Sequence, residues 1–423
     1  MAGLGALCIV LPGHVSVGDK TLRWPTLAEV FTEKDRDAVL PDTALLVDSA
    51  AQSNPADMAS EEDTIPQKPV IVIPKVVVDS TTDSRIFLRS FYSSLSECSE
   101  RVVRVLHYGD SQIEEDRMTM QIREQLQNLF GGHGCGLMPL AQTIPALSVK
   151  QELFMSGRRV NPSNGPRRYA VYAVRSMQRR DGLYGVMGQM AFMADSLVPG
   201  SEEMTAVCVP QVPSSHYTRW RVFADSAVHY SFAGDTAYLY GKGAVYGLSQ
   251  ECERGIIVDN IAMRGCLGLV FTKMDSAQLS SFYDSENVRL IIMQFGGNAI
   301  PTNQNPSTIS AIVKGLREQV RYVQRCAPNA SILFIGPSDM MRQIDGEWES
   351  YPMVGYMDAL LRKMALEENI AYFSLYRWMG GEGSMLHWQE IGLAGADGVH
   401  FHRSGARKAG NAVASWIIEG MEN

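Results

Sequence analysis

The sequence lacks the residue patterns that most metal-binding, disulfide-rich and nucleic-acid-binding proteins need. Its seven cysteines form no Cys-x-x-Cys pair, and there is no His-Glu-x-x-His motif and no Cys/His cluster. Scattered cysteines are typical of buried core residues, so we expect no metal site and no cofactor. Basic residues are also outnumbered, 38 against 46 acidic ones, and the net charge of -8 argues against a nucleic-acid partner.

A long apolar segment is missing too. The run at 2–12 (AGLGALCIVLP) is shorter than the ~20 residues of a membrane-spanning helix, and no basic residues precede it as they do in a secretory signal. We interpret residues 1–22 as an apolar N-terminal segment. It is either the remainder of a longer signal or membrane anchor, or a buried segment.

Residues 23–84 have the composition of a linker. Ser, Ala, Asp, Glu and Pro dominate between 49 and 69, and such a segment cannot bury enough apolar surface to offset the entropy lost on ordering. The apolar run at 70–78 carries Pro74, which has no backbone N–H to donate. We therefore predict an edge strand or an extended packing segment there.

Strands and helices alternate in residues 85–144 and 251–423. Buried strands are predicted at 103–108, 256–262, 288–294, 331–335 and 370–375, and helices at 84–98, 114–130, 267–282, 308–326, 353–368 and 404–421. The second helix is expected to hold three acids in its first turn and four apolar side chains on one face: Glu114, Glu115 and Asp116, then Met118, Ile122, Leu126 and Leu129. This alternation predicts a mainly parallel sheet in a three-layer α/β/α domain.

Residues 145–250 interrupt that alternation with short apolar and aromatic runs, at 169–174, 187–192, 204–209, 220–223, 228–232 and 237–240. Turn residues separate the runs at strand-plus-turn spacing, which predicts an inserted all-β domain of the sandwich type. Its arginines and aromatics suit an anionic glycan, although solvated arginines and core aromatics are the more frequent situation. These side chains are Arg158, Arg159, Arg167, Arg168, Arg179, Arg180, Arg219, Arg221, Tyr169, Tyr172, Tyr217 and Trp220.

Polar residues follow the first predicted strand, in the tripeptide Gly109-Asp110-Ser111. Ligands of parallel sheets bind at the carboxyl ends of the strands, so Ser111 is placed as a nucleophile would be. Asp and Ser are also favoured helix caps. The tripeptide alone therefore leaves both readings open.

Two further strand ends carry residues that can stabilise negative charge. The second strand leads to Gly265, whose backbone N–H can approach an oxyanion closely, and the third leads to Asn298, whose amide can donate a hydrogen bond. Taken singly, each is more often an ordinary turn residue.

The segment before the closing helix pairs an acid with a base. Asp397 lies three residues before His400, and a histidine held by a carboxylate can take a proton from a serine hydroxyl. His402 is the competing base, at a different spacing from Asp397. His107 and His387 are expected in the core or at the rim.

Gly109-Asp110-Ser111, Gly265, Gly296-Gly297-Asn298 and Asp397-Gly398-Val399-His400 occur in the order of the four blocks of the SGNH (GDSL-like) hydrolases. The sequence resembles that family over roughly 85–140 and 250–423. The resemblance implies a catalytic triad of Ser111, Asp397 and His400. It also implies an oxyanion hole made by the N–H groups of Ser111 and Gly265 and by the Asn298 amide. Two positions depart from the family pattern: Gln112 replaces the usual Leu, and Ala299 replaces a common Asp.

A finer resemblance is to a bacterial cell-envelope group that includes peptidoglycan O-acetylesterases. It rests on His107-Tyr108 before the first block, the glycine-rich loop 131–136, the inserted β domain and the segment 379–385. It implies a serine esterase that removes O-acetyl groups from a cell-envelope or dietary polysaccharide, in the periplasm or cell envelope. An anchor at or before the N-terminus is part of that expectation. An O-acyltransferase using the same triad and a non-catalytic glycan-binding protein are the alternatives.

Overall fold

The computed structural model describes residues 72–78, 81–138, 146–149 and 244–422, together with the backbone of eight short strands elsewhere. The chain divides into two units, 1–69 and 70–423. In the first unit, β1 (His14–Val17) and β2 (Lys20–Arg23) pair as an antiparallel hairpin.

The second unit contains fifteen described strands. They are β3 (Val102–Gly109), β4 (Gly136–Met138), β5 (Gly157–Val160), β6 (Ala191–Ala194), β7 (Glu203–Val207), β8 (Arg219–Ala224), β9 (Val228–Ala233), β10 (Thr236–Gly241), β11 (Ala244–Glu251), β12 (Gly255–Ala262), β13 (Val288–Gln294), β14 (Ser331–Ile335), β15 (Met341–Ile344), β16 (Glu347–Ser350) and β17 (Ala371–Phe373).

A five-stranded parallel sheet forms the centre of this unit, in the order β12-β3-β13-β14-β17. Its strands are apolar on both faces, as expected when helices cover both sides of a sheet. Along β3, Val103 and Val105 pack into one apolar cluster while Leu106 and Tyr108 pack into the other. The predicted α/β class is thus confirmed. Because Gly109 is in register with Ala262 and with Gln294, the loops that follow β3, β12 and β13 begin side by side.

Eight α-helices accompany the described strands. They are α1 (Arg89–Ser94), α2 (Thr119–Phe130), α3 (Ser276–Ser285), α4 (Pro306–Cys326), α5 (Met353–Glu367), α6 (Leu375–Met379), α7 (Ser384–Glu390) and α8 (Arg403–Glu419). Short 3-10 turns at Ser84–Leu88 and Leu95–Ser99 flank α1, so the predicted helix at 84–98 is a composite.

The predicted start of the second helix is wrong. Residues Ser111–Asp116 form a kinked 3-10 segment, in which Glu115 and Asp116 have φ angles of 63° and 61°, and α2 begins only at Thr119. Asp116 turns inward there, where its Oδ2 accepts a hydrogen bond from Arg123 Nη1 at 2.6 Å. Leu129 was expected in the core, but it is 57% exposed.

Two other boundaries also differ. The helix expected at 267–282 is α3, which begins at Ser276, after a loop with a short 3-10 turn at Phe271–Lys273. Residues 72–78 form no strand: Val72 and Val77 are exposed, and Val76 packs against the core. The segment is therefore the extended packing segment and not the edge strand.

The predicted inserted domain appears as antiparallel strands, in the orders β7-β10-β9 and β4-β11-β6-β5, with β8 on β11. Five of the six expected runs carry a strand, and the run at 169–174 lies outside the described residues. Strand β4 was assigned by sequence to the α/β domain, but it pairs with β11 of the antiparallel sheet.

A buried cluster of charges joins the inserted strands to the central sheet. Arg104 of β3 is 1% exposed, and its guanidinium donates to Asp259 Oδ2 at 2.6 Å and to Glu251 Oε1 at 2.5 Å. Glu286 Oε2 lies 3.4 Å from Arg104 and also pairs with Arg221 of β8. Since Glu251 and Arg221 belong to the antiparallel sheet, these ion pairs fasten that sheet to the α/β layer. Arg221, one of the arginines suggested for glycan binding, is thus used in packing.

Three expectations from composition can be compared with the described residues. The cysteines at 98, 135, 252, 266 and 326 are buried and form no disulfide with one another, whereas Cys8 and Cys208 lie outside the described residues. Within the described part, no group of three or more His, Cys, Asp or Glu side chains is placed to hold a metal ion. None of the described helices is long and apolar enough to cross a membrane.

Candidate active site

At the end of β3, Asp110 is a helix cap and Ser111 is placed as a nucleophile would be, so the two interpretations of Gly109-Asp110-Ser111 are compatible. Asp110 Oδ1 accepts a hydrogen bond from the Gln112 N–H at 3.0 Å and so caps the 3-10 turn that begins at Ser111. A Cβ atom on Gly109 would lie 2.8 Å from the Ile113 side chain, which explains the glycine. With Asp110 occupied as the cap, the Ser111 hydroxyl is left to face the cleft.

Ser111, His400 and Asp397 form one hydrogen-bonded chain. Ser111 Oγ lies 2.8 Å from His400 Nε2, and His400 Nδ1 lies 2.7 Å from Asp397 Oδ2. The other Asp397 oxygen accepts hydrogen bonds from the N–H groups of Val399 at 3.0 Å and His400 at 2.9 Å. The carboxylate therefore fixes both the backbone and the ring of the histidine.

The electrostatics of Asp397 select one tautomer of His400. Partial burial raises the pKa of Asp397, but the hydrogen bonds from the His400 ring and from the His400 and Val399 N–H groups outweigh it. The pKa of the carboxyl therefore lies well below its usual range. An ionised carboxylate accepts the proton of His400 Nδ1, which leaves the Nε2 lone pair directed at the Ser111 hydroxyl. Such an arrangement can move a proton from serine to imidazole.

The loop that carries Asp397 and His400 is stabilised by two backbone contacts of its own and by one with β15. Gly395 N–H donates to His400 O at 2.7 Å, and Ala394 and Phe401 form an isolated β-bridge. Gly398 has a φ of 68° and accepts a hydrogen bond from Met341 N–H at 2.8 Å, so the β15–β16 hairpin supports the turn. The separation of three residues between Asp397 and His400 is thus one tight turn.

Asn298 contacts both neighbouring strand ends. Its Nδ2 donates to Asp110 Oδ2 at 3.0 Å and to Cys266 O at 3.2 Å. Burial raises the pKa of Asp110 to about 6, against the opposing effects of the Gln112 N–H, the His400 ring and the Asn298 amide. Ala299, which replaces a common acid of the family, is fully buried, and Asp110 supplies the acceptor for Asn298 instead.

Gly265 lies in the loop between β12 and Cys266. Met263 N–H donates to Gly109 O at 2.8 Å, which continues the strand pairing up to that loop. Gly265 is exposed with a φ of 70°, a conformation that favours glycine. The Cys266 contact with Asn298 then ties the same loop to the third strand end. All three strand ends therefore meet beside Ser111.

Gln112, the residue that replaces the usual Leu, contacts two other parts of the site. Its Nε2 donates to Val399 O at 2.6 Å and to Ser338 Oγ at 3.3 Å. It therefore joins the serine turn to the Asp397–His400 loop and to the end of β14. The signal in the sequence was a polar residue at a position that is usually Leu; Ser338 had no comparable signal.

The other histidines occupy different places. His402 Nδ1 lies 3.4 Å from Gly392 O, and no contact joins its ring to Ser111. His107 is fully buried between Gln294 and Thr119, and burial lowers its pKa to about 4. His387 is exposed beside Glu390. The structure thus brings His400, and not His402, to the serine.

An open cleft of about 100 Å³ lies over these groups. Ser111, His400, Asn298, Phe295 and Met340 are among its lining residues. The volume is well below the roughly 300–1,000 Å³ of pockets for drug-sized ligands. It suits a small group delivered to Ser111, with the remainder of the molecule outside.

Neither a protein-family model nor a curated protein matches the sequence. Among solved structures, a peptidoglycan O-acetylesterase is similar, with 19% identity and a TM-score of 0.60 over 81% of this chain and 97% of that one. This chain and that esterase therefore share one fold. A carbohydrate acetylesterase from Sinorhizobium meliloti also matches, with 14% identity and a TM-score of 0.31 over 75% of this chain and 99% of that chain.

The parallel sheet explains why the groups around Ser111 lie together. Its parallel strands end at one edge of the sheet, and the residues after β3, β12 and β13 and before α8 gather there.

Proposed function

We propose that this chain is a serine esterase that removes O-acetyl groups from a polysaccharide. The observation that carries the proposal is the continuous hydrogen-bonded chain from Ser111 Oγ through His400 to Asp397, with distances of 2.8 and 2.7 Å. A serine that is hydrogen-bonded to a histidine and lines one cleft with the Asn298 amide is suited to acyl transfer. The fold shared with a peptidoglycan O-acetylesterase supports the same reaction class.

The proposed reaction has two halves. His400 Nε2 takes the Ser111 proton while Oγ attacks the ester carbonyl carbon, and the resulting oxyanion is held by the N–H groups of Ser111 and Gly265 and by the Asn298 amide. His400 then returns the proton to the departing sugar hydroxyl, and an acetyl-serine remains. In the second half His400 takes a proton from water, the hydroxide oxygen attacks the acetyl-serine, and acetate leaves as Ser111 recovers its proton.

Asn298 has to release one acceptor to take part. Its Nδ2 donates to Asp110 at 3.0 Å and to Cys266 O at 3.2 Å in the free site. The longer bond to the neutral carbonyl is the weaker of the two, because hydrogen bonds to a charged partner are stronger. We therefore assign the oxyanion contact to the N–H that now faces Cys266, with Asp110 keeping the amide oriented.

The size of the cleft favours a short acyl group. A volume of about 100 Å³ admits an acetyl group over Ser111, while a polymer lies across the open mouth. A cell-envelope glycan is the proposed polymer, and the cell envelope or periplasm the proposed location. Fractionation of producing cells, with the full chain followed by antibody, tests the location separately from the activity.

The activity is tested with wild type, Ser111→Ala and the matched control Ser96→Ala, whose residue is exposed and precedes β3, whereas Ser111 follows that strand. We expect wild type and the control to hydrolyse p-nitrophenyl acetate and release acetate from O-acetylated peptidoglycan, and Ser111→Ala to lose both activities. Equal rates for Ser111→Ala and wild type would remove Ser111 from the reaction. Acetate release only from O-acetylated plant polysaccharides would show that the substrate is a dietary polysaccharide and not a cell-envelope glycan. Transfer to an added glycan instead of release would make the chain an acyltransferase.

A further inference from the structure

A second cavity lies beside the candidate active site, on the other side of the Asp397–His400 loop. Its volume is about 520 Å³, and it is bounded by α2, α8 and Leu147. Arg117, Arg403 and Arg407 line it, and none of the described lining residues is a carboxylate. The cavity is therefore a local concentration of positive charge on a chain whose net charge is -8.

The three arginines are arranged at an electrostatic cost. Arg403 and Arg407 are exposed and four residues apart on α8, a spacing at which like charges repel each other. Both lie near the start of the helix, where the helix dipole disfavours cations, and no acidic residue occupies its first turn. Among the described residues, neither arginine makes an ion pair. A bound anion would offset the repulsion between Arg403 and Arg407.

Arg117 is fixed in a position where it adds to the positive charge of the cavity. Its side chain is only 10% exposed, and its Nε donates to Glu114 O at 2.9 Å while its Nη1 donates to Phe401 O at 3.2 Å. The sole carboxylate near it among the described residues is Glu115, at 3.8 Å from Nη2. Backbone carbonyls fix the guanidinium, and Glu115 faces only its Nη2, at a distance longer than a hydrogen bond, so part of the positive charge remains in the cavity wall.

The hydrogen bond from Arg117 to Phe401 O also locates the cavity relative to Ser111. Phe401 follows His400 directly, and α8 begins two residues after that. Residues that line the cavity therefore directly follow the Asp397–His400 turn, and Val399 and His400 of that turn line the small cleft over Ser111. A ligand long enough to pass over this turn can occupy both.

We infer that this cavity, the arginine groove, binds a carboxylate carried by the acylated glycan, on a sugar other than the one whose ester reacts at Ser111. The inference rests on the proposed function for the identity of the polymer. Guanidinium groups pair with carboxylates in a bidentate manner, and three of them in one cavity can hold a uronate or a carboxylated side group of a sugar. The groove would then select anionic over neutral acetylated glycans.

Binding is measured with the full chain carrying Ser111→Ala, so that the ester is not consumed. The probes are O-acetylated homogalacturonan fragments, which carry carboxylates, and O-acetylated xylan fragments of the same length without uronic acid. We expect the homogalacturonan fragments to bind more tightly. Adding Arg403→Gln and Arg407→Gln should lower the ratio of the two affinities by about tenfold, equivalent to one good charge-assisted pair. The preference should also weaken as salt rises from about 0.05 to about 0.5 M.

Arg325→Gln is the matched control, because Arg325 is an exposed helical arginine near the end of α4, at the opposite edge of the sheet. The proposal that the arginine groove binds a carboxylate is overturned if the affinity ratio is unchanged in the double variant. It is also overturned if Arg325→Gln lowers the ratio as much as the double variant does. Equal binding of the two fragments by the starting protein, or binding of neither, overturns it as well. The esterase proposal fails by a different result, which is the absence of acetate release by wild type from any acetyl ester. The affinity ratio is measured independently of that outcome.

Discussion

Asn298 Nδ2 donates a hydrogen bond of 3.0 Å to Asp110 Oδ2, so the residue before the proposed nucleophile orients the proposed oxyanion donor. Asp110 uses its other oxygen to cap the turn of Ser111. One buried carboxylate thus fixes the nucleophile's backbone and the amide together. Its place in the site is to position these two groups.

Replacing Asn298 tests this arrangement at the donor. Asn298→Ala removes one oxyanion donor, and we expect kcat to fall by about 10²–10³ with a much smaller change in KM. Asn303→Ala is the control, since Asn303 lies in the same loop and its amide donates to Ala299 O at 2.7 Å instead. Steady-state rates on an acetyl ester check the prediction. A loss confined to KM would mean that Asn298 binds the ground state and does not stabilise the oxyanion.

Asp110→Asn tests the carboxylate through the pH dependence of stability. Burial raises the pKa of Asp110 from 3.8 to about 6, against weaker opposing hydrogen bonds, so the folded state holds this proton more tightly than the unfolded state. The free energy of unfolding contributed by Asp110 is therefore lost as the pH rises from about 4 to about 6. Asparagine does not ionise, so the variant does not lose this free energy of unfolding as the pH rises. Relative to wild type, Asp110→Asn should gain on the order of 3 kcal/mol between pH 4 and pH 7.

Urea denaturation of the two proteins at several pH values between 4 and 7 measures that difference. Parallel stability curves would show that Asp110 titrates alike in the folded and unfolded chains. Activity provides a second readout, because the asparagine amide is a poorer acceptor for Asn298 and should lower kcat. A stabilised but slower enzyme is the expected combination.

The parts of the fold that follow from local residue patterns were predictable. The strand at 102–109 could be located because Val103, Val105 and Leu106 are apolar with turn residues behind them, and burial on both faces of a parallel strand demands such a run. The class of the fold followed from the alternation of such runs with helices. The four family blocks indicated which side chains the structure would bring together, and it places Ser111, His400 and Asp397 in contact.

Other features depend on contacts between distant residues. The start of α2 could not be predicted from its acidic first turn, because the buried pair of Asp116 with Arg123 draws that turn into a positive-φ kink. Gln112 gains its place from Val399, which is 287 residues away. Local propensity contains no information about either partner, so these features required the tertiary structure.

The buried charge cluster predicts a large effect on stability from Arg104. Arg104→Met leaves Glu251 and Asp259 without their central cation in a site that water does not reach. Breaking one side of a buried ion pair costs about 3–5 kcal/mol, so the free energy of unfolding should fall by that amount. Arg101→Gln is the control, because Arg101 is 57% exposed and its pair with Glu97 should contribute less than about 1 kcal/mol. Similar losses for the two variants in urea denaturation would contradict the prediction.

Gly398 is expected to be required for the geometry of the Asp397–His400 turn. Its φ of 68° costs a non-glycine residue about 1–2 kcal/mol, and an added Cβ would lie 2.9 Å from the Trp348 ring and 3.0 Å from Met341 O. Gly398→Ala should therefore lower both stability and kcat, because the turn must move away from the β15–β16 hairpin and carry His400 with it. Gly346→Ala separates the cost of the positive φ from the steric contact of the added Cβ, since Gly346 has a φ of 88° but no atom within 4 Å of its Cβ position. We expect Gly346→Ala to cost stability alone, and Trp348→Leu to restore part of the kcat lost by Gly398→Ala. If kcat is the same in Gly398→Ala as in wild type, the turn adjusts without displacing His400 and the steric explanation fails.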